Sequence, residues 1–324
     1  MRELAEAGSF IWNLCRKYGG EKEMSVTVLK RIALGAMVVN YIGVFIPGAP
    51  VWLQWLGRLS APLFFYCMAW SIDRTGNKKA YFLRLYLAGV AMGLLNLIMS
   101  FVAQGAGLGA AVSSNIFATL FASAFFIEVI EYGRKHPKRR MRLFLSYGLF
   151  QVAVAGLWAA LYELVGVPYA VLNFFSALLG NALTCEGALL YVLMGVLFYY
   201  TKEDKKKLAV GYAALSLVFF VNSAFGVWGR LFMLLGKDVL VMLMEIMTGL
   251  VLWGASFRPV FDVYHMFYSD FQWLMIAALP LLLCCNEGRR RRRNRPSAFQ
   301  KYFYYVFYPA HLYLLWFLGT VVLK

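Results

Sequence analysis

The stretch KYFYYVFYPAHLYLLW, residues Lys301–Trp316, begins the last apolar segment of the chain and decides how the rest is interpreted. It carries His311 about ten residues in, which at 1.5 Å per residue lies roughly 15 Å deep in a bilayer core about 30 Å thick. An ionisable side chain at that depth is costly, so it is a functional candidate by default. Tyr304, Tyr308 and His311 follow the i, i+4, i+7 spacing and therefore share one helix face. We expect the rest of the chain to surround that face.

The composition places the chain among membrane proteins. Of its 324 residues, 61% are hydrophobic and 15% are charged, and the mean hydropathy is +0.64. Soluble domains are about 45–50% apolar and about 25% charged. We therefore predict an all-α fold, a polytopic transmembrane helix bundle with about 9–10 spans. Residues 1–24 carry charges of both signs and no long apolar core, which predicts an N-terminal amphipathic segment at the interface, followed by one transmembrane domain over residues 25–324.

The net charge of +16 is concentrated in short loops between apolar segments. Six cations lie in Arg134–Arg142, and a second basic run occupies Arg289–Arg295. This distribution is the positive-inside pattern, and with Lys30 and Arg31 before the first span it predicts a cytoplasmic N-terminus. The expected partner of these cations is the anionic inner leaflet of the lipid bilayer, not nucleic acid.

Apolar segments and their breaks predict the order of crossings. The spans predicted before residue 202 are Leu29–Ile46, Val51–Ile72, Ala80–Ala103, Asn115–Tyr132, Arg142–Gly166, and a short re-entrant piece broken at Gly180–Asn181 that leads into a span ending at Thr201. Gly89 and Gly93 form a small-xxx-small pair, which predicts close helix packing. Between residues 208 and 286 three apolar runs leave the number of crossings open.

Three polar side chains from distant segments are predicted to lie at similar depths. Tyr41 lies about twelve residues, roughly 18 Å, from the inner end of the first helix, and Arg58 about fourteen, roughly 21 Å, from that of the second. Together with His311 they occupy the middle third of the bilayer and predict one polar cavity. A buried arginine needs hydrogen-bonding or charged partners. The candidate partners are Asn40, Tyr41, Glu186 and Glu245.

The C-terminal segments resemble the TraX family of bacterial membrane proteins. Gln272–Asn286, the arginine run and residues 308–312 (Tyr-Pro-Ala-His-Leu) follow that family's order of a Gln-Trp-started helix, a basic link and an aromatic run with Tyr-Pro-x-His-Leu. Further matches cover about Leu29 to the C-terminus. They are Gly57–Phe65 (GRLSAPLFF), Arg74–Leu85 (RTGNKKAYFLRL) and Asn115–Leu120 (NIFATL).

The resemblance implies a multi-pass protein of the bacterial inner membrane, related to acetylases of the pilin N-terminus and to ten-helix membrane acyltransferases. The implied acyl donor is acetyl-CoA, and the implied acceptor is a pilin-like peptide amine or an envelope glycan. One departure concerns the first helix, where the family carries Asp-His before Ile-Gly. Asn40 and Tyr41 stand at those positions here, and neither is a proton shuttle near pH 7.

The resemblance also implies the roles of the site residues. The candidate catalytic residues are His311, Arg58, Tyr41, Asn40 and Tyr308. His311 would take the proton from the nucleophile, and Arg58 would stabilise the developing oxyanion or hold a CoA phosphate. Lys79 and Arg84, at the inner mouth, would bind the nucleotide phosphates of CoA, and no residue is predicted to ligate a metal.

Two other interpretations stay open at the level of sequence. In the first, the chain is a catalytically silent relative that acts as a membrane scaffold or accessory of a conjugation or envelope system. The Asn40-Tyr41 replacement favours it, and His311 and Arg58 would then be hydrogen-bonded fasteners of a polar core. In the second, the chain is a carrier of small solutes or lipids, which fits a polar cavity but lacks visible inverted repeats.

Overall fold

The computed structural model describes residues 24–108, 112–225, 265–285 and 298–323. In these ranges the backbone is helical, with no β-strand beyond one isolated bridge between Met24 and Cys285. The α-helices in chain order are α1 Val26–Phe45, α2 Trp52–Gly57, α3 Ser60–Arg74, α4 Lys78–Gly105, α5 Ile116–Lys135, α6 Pro137–Ala160, α7 Tyr169–Leu179, α8 Ala188–Thr201, α9 Lys205–Phe225, α10 Leu279–Leu283 and α11 Ala298–Phe317. π-Helical turns, Leu161–Val165 and Leu318–Val322, extend α6 and α11. A 3₁₀ helix, Gln272–Ala278, leads into α10.

Six helices of the described ranges are long and apolar enough to cross a membrane. They are α1, α4, α5, α9, and α6 and α11 with their π-helical turns. The predicted all-α, multi-pass transmembrane bundle is therefore confirmed.

Several sequence predictions fall outside the described residues. These are most of the N-terminal interfacial segment (residues 1–23), the arginine run, and Glu245 as a partner of Arg58. The crossings between residues 226 and 264 also lie there.

The cationic turns α3–α4, α5–α6 and α8–α9 lie together at one end of the bundle, called the basic end below. Lys78 Nζ at the start of α4 lies 3.9 Å from Glu128 Oε2 on α5. The guanidinium of Arg134, at the end of α5, lies 4.3 Å from the ring centroid of Tyr200 on α8. The loops that the sequence groups by charge are therefore grouped in space as well.

Lys202 shows how the basic end accommodates a buried cation. The residue is only 6% exposed. Its ammonium forms an ion pair with Asp73, donates to the carbonyl oxygen of Ala69 at 3.3 Å and lies 3.9 Å from the ring centroid of Tyr199. These partners offset the desolvation of the ammonium and join the end of α3 to the end of α8.

The second predicted span, Val51–Ile72, is not one continuous helix. A turn at Arg58 and Leu59 separates α2 from α3. The cause is Pro62, which has no N–H to donate to the carbonyl of Arg58 and whose ring crowds that carbonyl. The break places Arg58 at the C-terminus of a short helix, inside the bundle.

The predicted break at Gly180–Asn181 is confirmed. Gly180 adopts the left-handed conformation (φ +64°) at the end of α7, and eight non-helical residues precede α8. Their polar groups are satisfied within the protein, since the Asn181 amide donates to the carbonyl oxygen of Gln151 at 2.9 Å and Ala182 N–H donates to Gln151 Oε1 at 2.7 Å. Irregular backbone at membrane depth is tolerated where the protein buries it in this way.

The two glycines of the small-xxx-small pair pack α4 against its neighbours, as predicted. A Cβ added to Gly89 would lie 3.1 Å from the backbone of Ala118 on α5. A Cβ added to Gly93 would lie 3.3 Å from the Cβ of Ala177 on α7. Because the two glycines contact different neighbours, α4 packs closely against both α5 and α7.

We expect Gly89→Leu to separate α4 from α5 and to lower the free energy of unfolding by about 1–3 kcal/mol, the usual cost of overpacking a close contact. The measurement is thermal unfolding of the purified protein in detergent. Gly35→Leu is the matched control, because no atom lies within 4 Å of a Cβ at that exposed position on α1. Equal melting temperatures for the two variants would contradict close packing at Gly89.

Candidate functional site

His311 lies on α11 and is 7% exposed. Its Nδ1 is 2.8 Å from the carbonyl oxygen of Phe307, one turn earlier in the helix. Because a carbonyl oxygen only accepts, this contact assigns the proton to Nδ1 and leaves the lone pair on Nε2. Nε2 is buried and has no hydrogen-bond partner among the described residues. The imidazole is thus held in the tautomer that accepts a proton at Nε2.

Tyrosine side chains from two helices surround the His311 ring. The ring centroid of Tyr41 on α1 is 5.7 Å from that of His311, and that of Tyr308 is 5.9 Å away. The Tyr308 hydroxyl accepts from Ile116 N–H at 3.5 Å and lies beside the Tyr41 hydroxyl. Tyr41 of the first helix is therefore in contact with Tyr308 and His311 of the last, although the sequence separates them by more than 260 residues.

Arg58 is bound on one side and unpartnered on the other. Its Nη1 donates to Gln272 Oε1 at 2.9 Å, and the amide nitrogen of Gln272 in turn donates to the Tyr191 hydroxyl. The guanidinium lies 4.6 Å from the ring centroid of Phe271. Arg58 Nε is buried without a hydrogen-bond partner in the described part of the chain. One donor of the cation is thus left for another group.

Glu186 is the carboxylate that faces this cation. Its Oε2 accepts from Asn115 N–H at 2.7 Å, at the N-cap of α5. A helix N-terminus favours negative charge, because its first N–H groups have no partner within the helix. Glu186 interacts electrostatically with Arg58 and with Tyr41. Glu186, one of the two carboxylates named from sequence, is therefore found at the site, while Glu245 lies outside the described residues; Tyr41 interacts with both Arg58 and the His311 ring.

The site is level with the middle of α4. The Asn115 amide donates to the carbonyl oxygen of Gly89 at 2.8 Å, and the Tyr313 hydroxyl donates to Asn96 Oδ1 at 2.5 Å. Gly89 and Asn96 lie about 17 and 27 Å from the start of α4, which is about 42 Å long. His311, between these two levels on α11, therefore lies near the midpoint of α4.

Three of the predicted site residues do not join the His311 group. Asn40 packs against Gly57, where even a Cβ would collide with its side chain, and its Oδ1 is buried without a hydrogen-bond partner within the described ranges. Lys79 is exposed at the start of α4. Arg84, five residues later, is rotated by about 140° around the helix. Lys79 and Arg84 therefore do not form one phosphate site.

Sequence reasoning gave no role to Gln272, Tyr191 and the backbone of Asn115. A signal existed for two of them, because a glutamine at the start of an apolar run and an asparagine before a helix are polar residues in apolar surroundings. Tyr191 gave no such signal, since it is one of 20 tyrosines in an aromatic-rich chain.

Comparisons of the chain with protein-family models, with curated proteins and with solved structures give no match.

Proposed function

We propose that this chain is a TraX-like acetyltransferase of the bacterial inner membrane, with a cytoplasmic N-terminus. It would transfer the acetyl group of acetyl-CoA to an amine of a pilin-like peptide or a hydroxyl of an envelope glycan. The observation that carries the proposal is the buried imidazole of His311, whose Nε2 has a free lone pair and no partner in the described part of the protein. The rings of Tyr41 and Tyr308 pack against it, and Tyr41 interacts electrostatically with Arg58.

In this proposal His311 is the general base. Its Nε2 removes the proton from the acceptor amine or hydroxyl while the acceptor heteroatom bonds to the carbonyl carbon of the thioester. The carbonyl electron pair moves to oxygen and returns when the carbon–sulfur bond breaks. The departing thiolate takes the proton back from the imidazolium, so His311 ends the cycle neutral.

Arg58 and the tyrosine hydroxyls would supply the electrostatic part of the reaction. The negative charge that develops on the carbonyl oxygen is best stabilised by donors already fixed in a site of low dielectric. Arg58 is fixed by Gln272 and Phe271 and keeps Nε–H free. Tyr41 packs against the His311 ring and interacts electrostatically with Arg58, so its hydroxyl is the second donor that we propose for the developing oxyanion.

The basic end would bind the acyl donor, acetyl-CoA, and would contact the membrane surface. Lys79 is exposed there and remains in the proposal as a contact for CoA phosphates. Lys78 and Arg134 at the same end would also face the anionic inner leaflet. Arg84 is left out of the CoA site because it lies on another face of α4.

The test is acetyl transfer by the purified protein in nanodiscs. We expect the protein to bind acetyl-CoA and to move a labelled acetyl group onto cell-envelope extract, with the label retained after acid precipitation. Heat-inactivated protein in the same nanodiscs is the control. A chain that neither binds acetyl-CoA nor transfers label would rule out the enzyme.

A second candidate function is a catalytically silent membrane scaffold or accessory of a conjugation or envelope system. The observation that favours it is the position of Asn40, whose side chain fills the contact with Gly57 and shows no hydrogen bond to the His311 group. In that case the polar cluster would hold the helices together without binding acetyl-CoA.

A further inference from the structure

A lateral opening separates α4 from α11 on the outside of the site. The two helices meet at the two ends of this opening. At the upper end, far from the start of α4, Tyr313 donates to Asn96, and at the lower end, near the start of α4, the Arg84 guanidinium lies beside the Tyr305 hydroxyl. Between these contacts, over about 18 Å of α4, lies a groove of about 390 Å³.

The walls of the groove are apolar, and part of one wall is lined by small side chains. Ala88 and Ala91 on α4 leave room along one wall, Pro309 lies on the opposite wall, and Phe117 of α5 forms part of the lining. Phe117 is also in edge contact with Tyr308, at 5.0 Å between ring centroids. The groove is therefore separated from the His311 group by one layer of aromatic rings.

Arg84 places a cation at the lower end of this apolar groove. Its Nε is buried and has no hydrogen-bond partner among the described residues. The ion pairs found in the described ranges do not include it. A guanidinium with a free donor at the end of an apolar groove is complementary to an anionic headgroup attached to a hydrocarbon chain.

The depth of Arg84 fits the phosphate level of a bilayer. α4 has 28 residues and is about 42 Å long, about 12 Å longer than a 30 Å hydrocarbon core. If the helix is centred, each end extends about 6 Å into the headgroups, and Arg84, about 9 Å from the start, lies about 3 Å inside the hydrocarbon edge. An arginine side chain bridges that distance by extending toward the interface.

We infer that this groove binds one anionic phospholipid, with its phosphate on Arg84 and one acyl chain lying along Ala88, Ala91 and Pro309. The bound lipid closes the lateral opening and separates the aromatic layer at Phe117 from the moving lipids of the bilayer. The inference is independent of the proposed function, because it requires no acyl transfer.

The test is photo-crosslinking in nanodiscs with phosphatidylglycerol or phosphatidylcholine, each carrying a diazirine in one acyl chain. We expect phosphatidylglycerol to label α4 and α11 peptides that line the groove. Ala91→Trp fills the groove and should abolish that labelling. Arg84→Gln should lower phosphatidylglycerol labelling about tenfold, the usual value of one hydrogen bond to a charged group, and lower phosphatidylcholine labelling by less, because the choline cation compensates the charge of its phosphate.

Ala153→Trp on α6 is the matched control, because it adds the same side chain at an exposed position outside the groove. Phosphatidylglycerol should label the Ala153→Trp variant as strongly as the natural chain. Unchanged melting temperatures of the three variants would exclude misfolding as the cause of any lost labelling. Equal labelling of α6 and the groove, or labelling that survives Ala91→Trp, would overturn the inference. Because the assay contains no acetyl-CoA, its outcome is separate from that of the transfer assay.

Discussion

Replacing His311 with asparagine is expected to lower acetyl transfer by about 10²–10⁴-fold, the usual contribution of a general base. The asparagine amide would take over the hydrogen bond that Nδ1 makes to the Phe307 carbonyl. The variant would therefore keep the helix contact and remove the lone pair of Nε2. The measurement is the initial rate of label transfer in nanodiscs at saturating acetyl-CoA.

Leu314→Ala, three residues later on α11, is the control for this substitution. Leu314 is 58% exposed and lies outside the polar cluster, so its truncation should leave the transfer rate unchanged. A His311→Asn variant with the full transfer rate would show that the imidazole has only a structural role in the polar core. A variant that loses stability and activity together would point to the same conclusion.

The sequence predicted the membrane bundle and the level of the site along its helices because both depend on simple arithmetic. Apolar segments of about 20 residues, with cationic loops between them, indicate membrane crossings. The rise per residue of a helix converts a position in such a segment into a distance along it. The predicted depths put Tyr41, Arg58 and His311 at similar levels, and the structure brings Tyr41 into contact with His311. The sequence missed the break at Arg58, although Pro62 four residues later gives the reason for it.

The hydrogen-bond network of the site was less predictable than its depth. Glu186 was one of two carboxylates named for Arg58, and only the fold shows that it sits at the start of α5, which begins inside the bundle. Gln272 and Tyr191 approach Arg58 from segments far away in the chain. Spacing along one helix carries no information on such contacts, because they depend on how helices of distant sequence are oriented around each other.

Glu186 and Arg58 are expected to show energetic coupling, because the carboxyl group of Glu186 interacts electrostatically with the guanidinium of Arg58 inside the bundle. Arg58→Met leaves Gln272 Oε1 without its donor and Glu186 without the nearby cation, and we expect a loss of about 1–3 kcal/mol in unfolding free energy. Glu186→Gln keeps an acceptor for Asn115 N–H but removes the negative charge, so the loss should be of similar size. The double variant carries neither charge and should be more stable than the sum of the single losses predicts.

The measurement is a double-mutant cycle of unfolding free energies in detergent. A matched control cycle pairs Arg58→Met with Glu128→Gln, whose carboxylate lies at the basic end beside Lys78 and should act independently of Arg58. Additive losses in the first cycle would mean that Glu186 is held by the α5 N-terminus alone. Every variant that carries Arg58→Met should also fail to transfer acetyl groups, even where stability is restored, because the oxyanion donor is absent. That separation distinguishes an arginine that stabilises the transition state from one that only fastens the core.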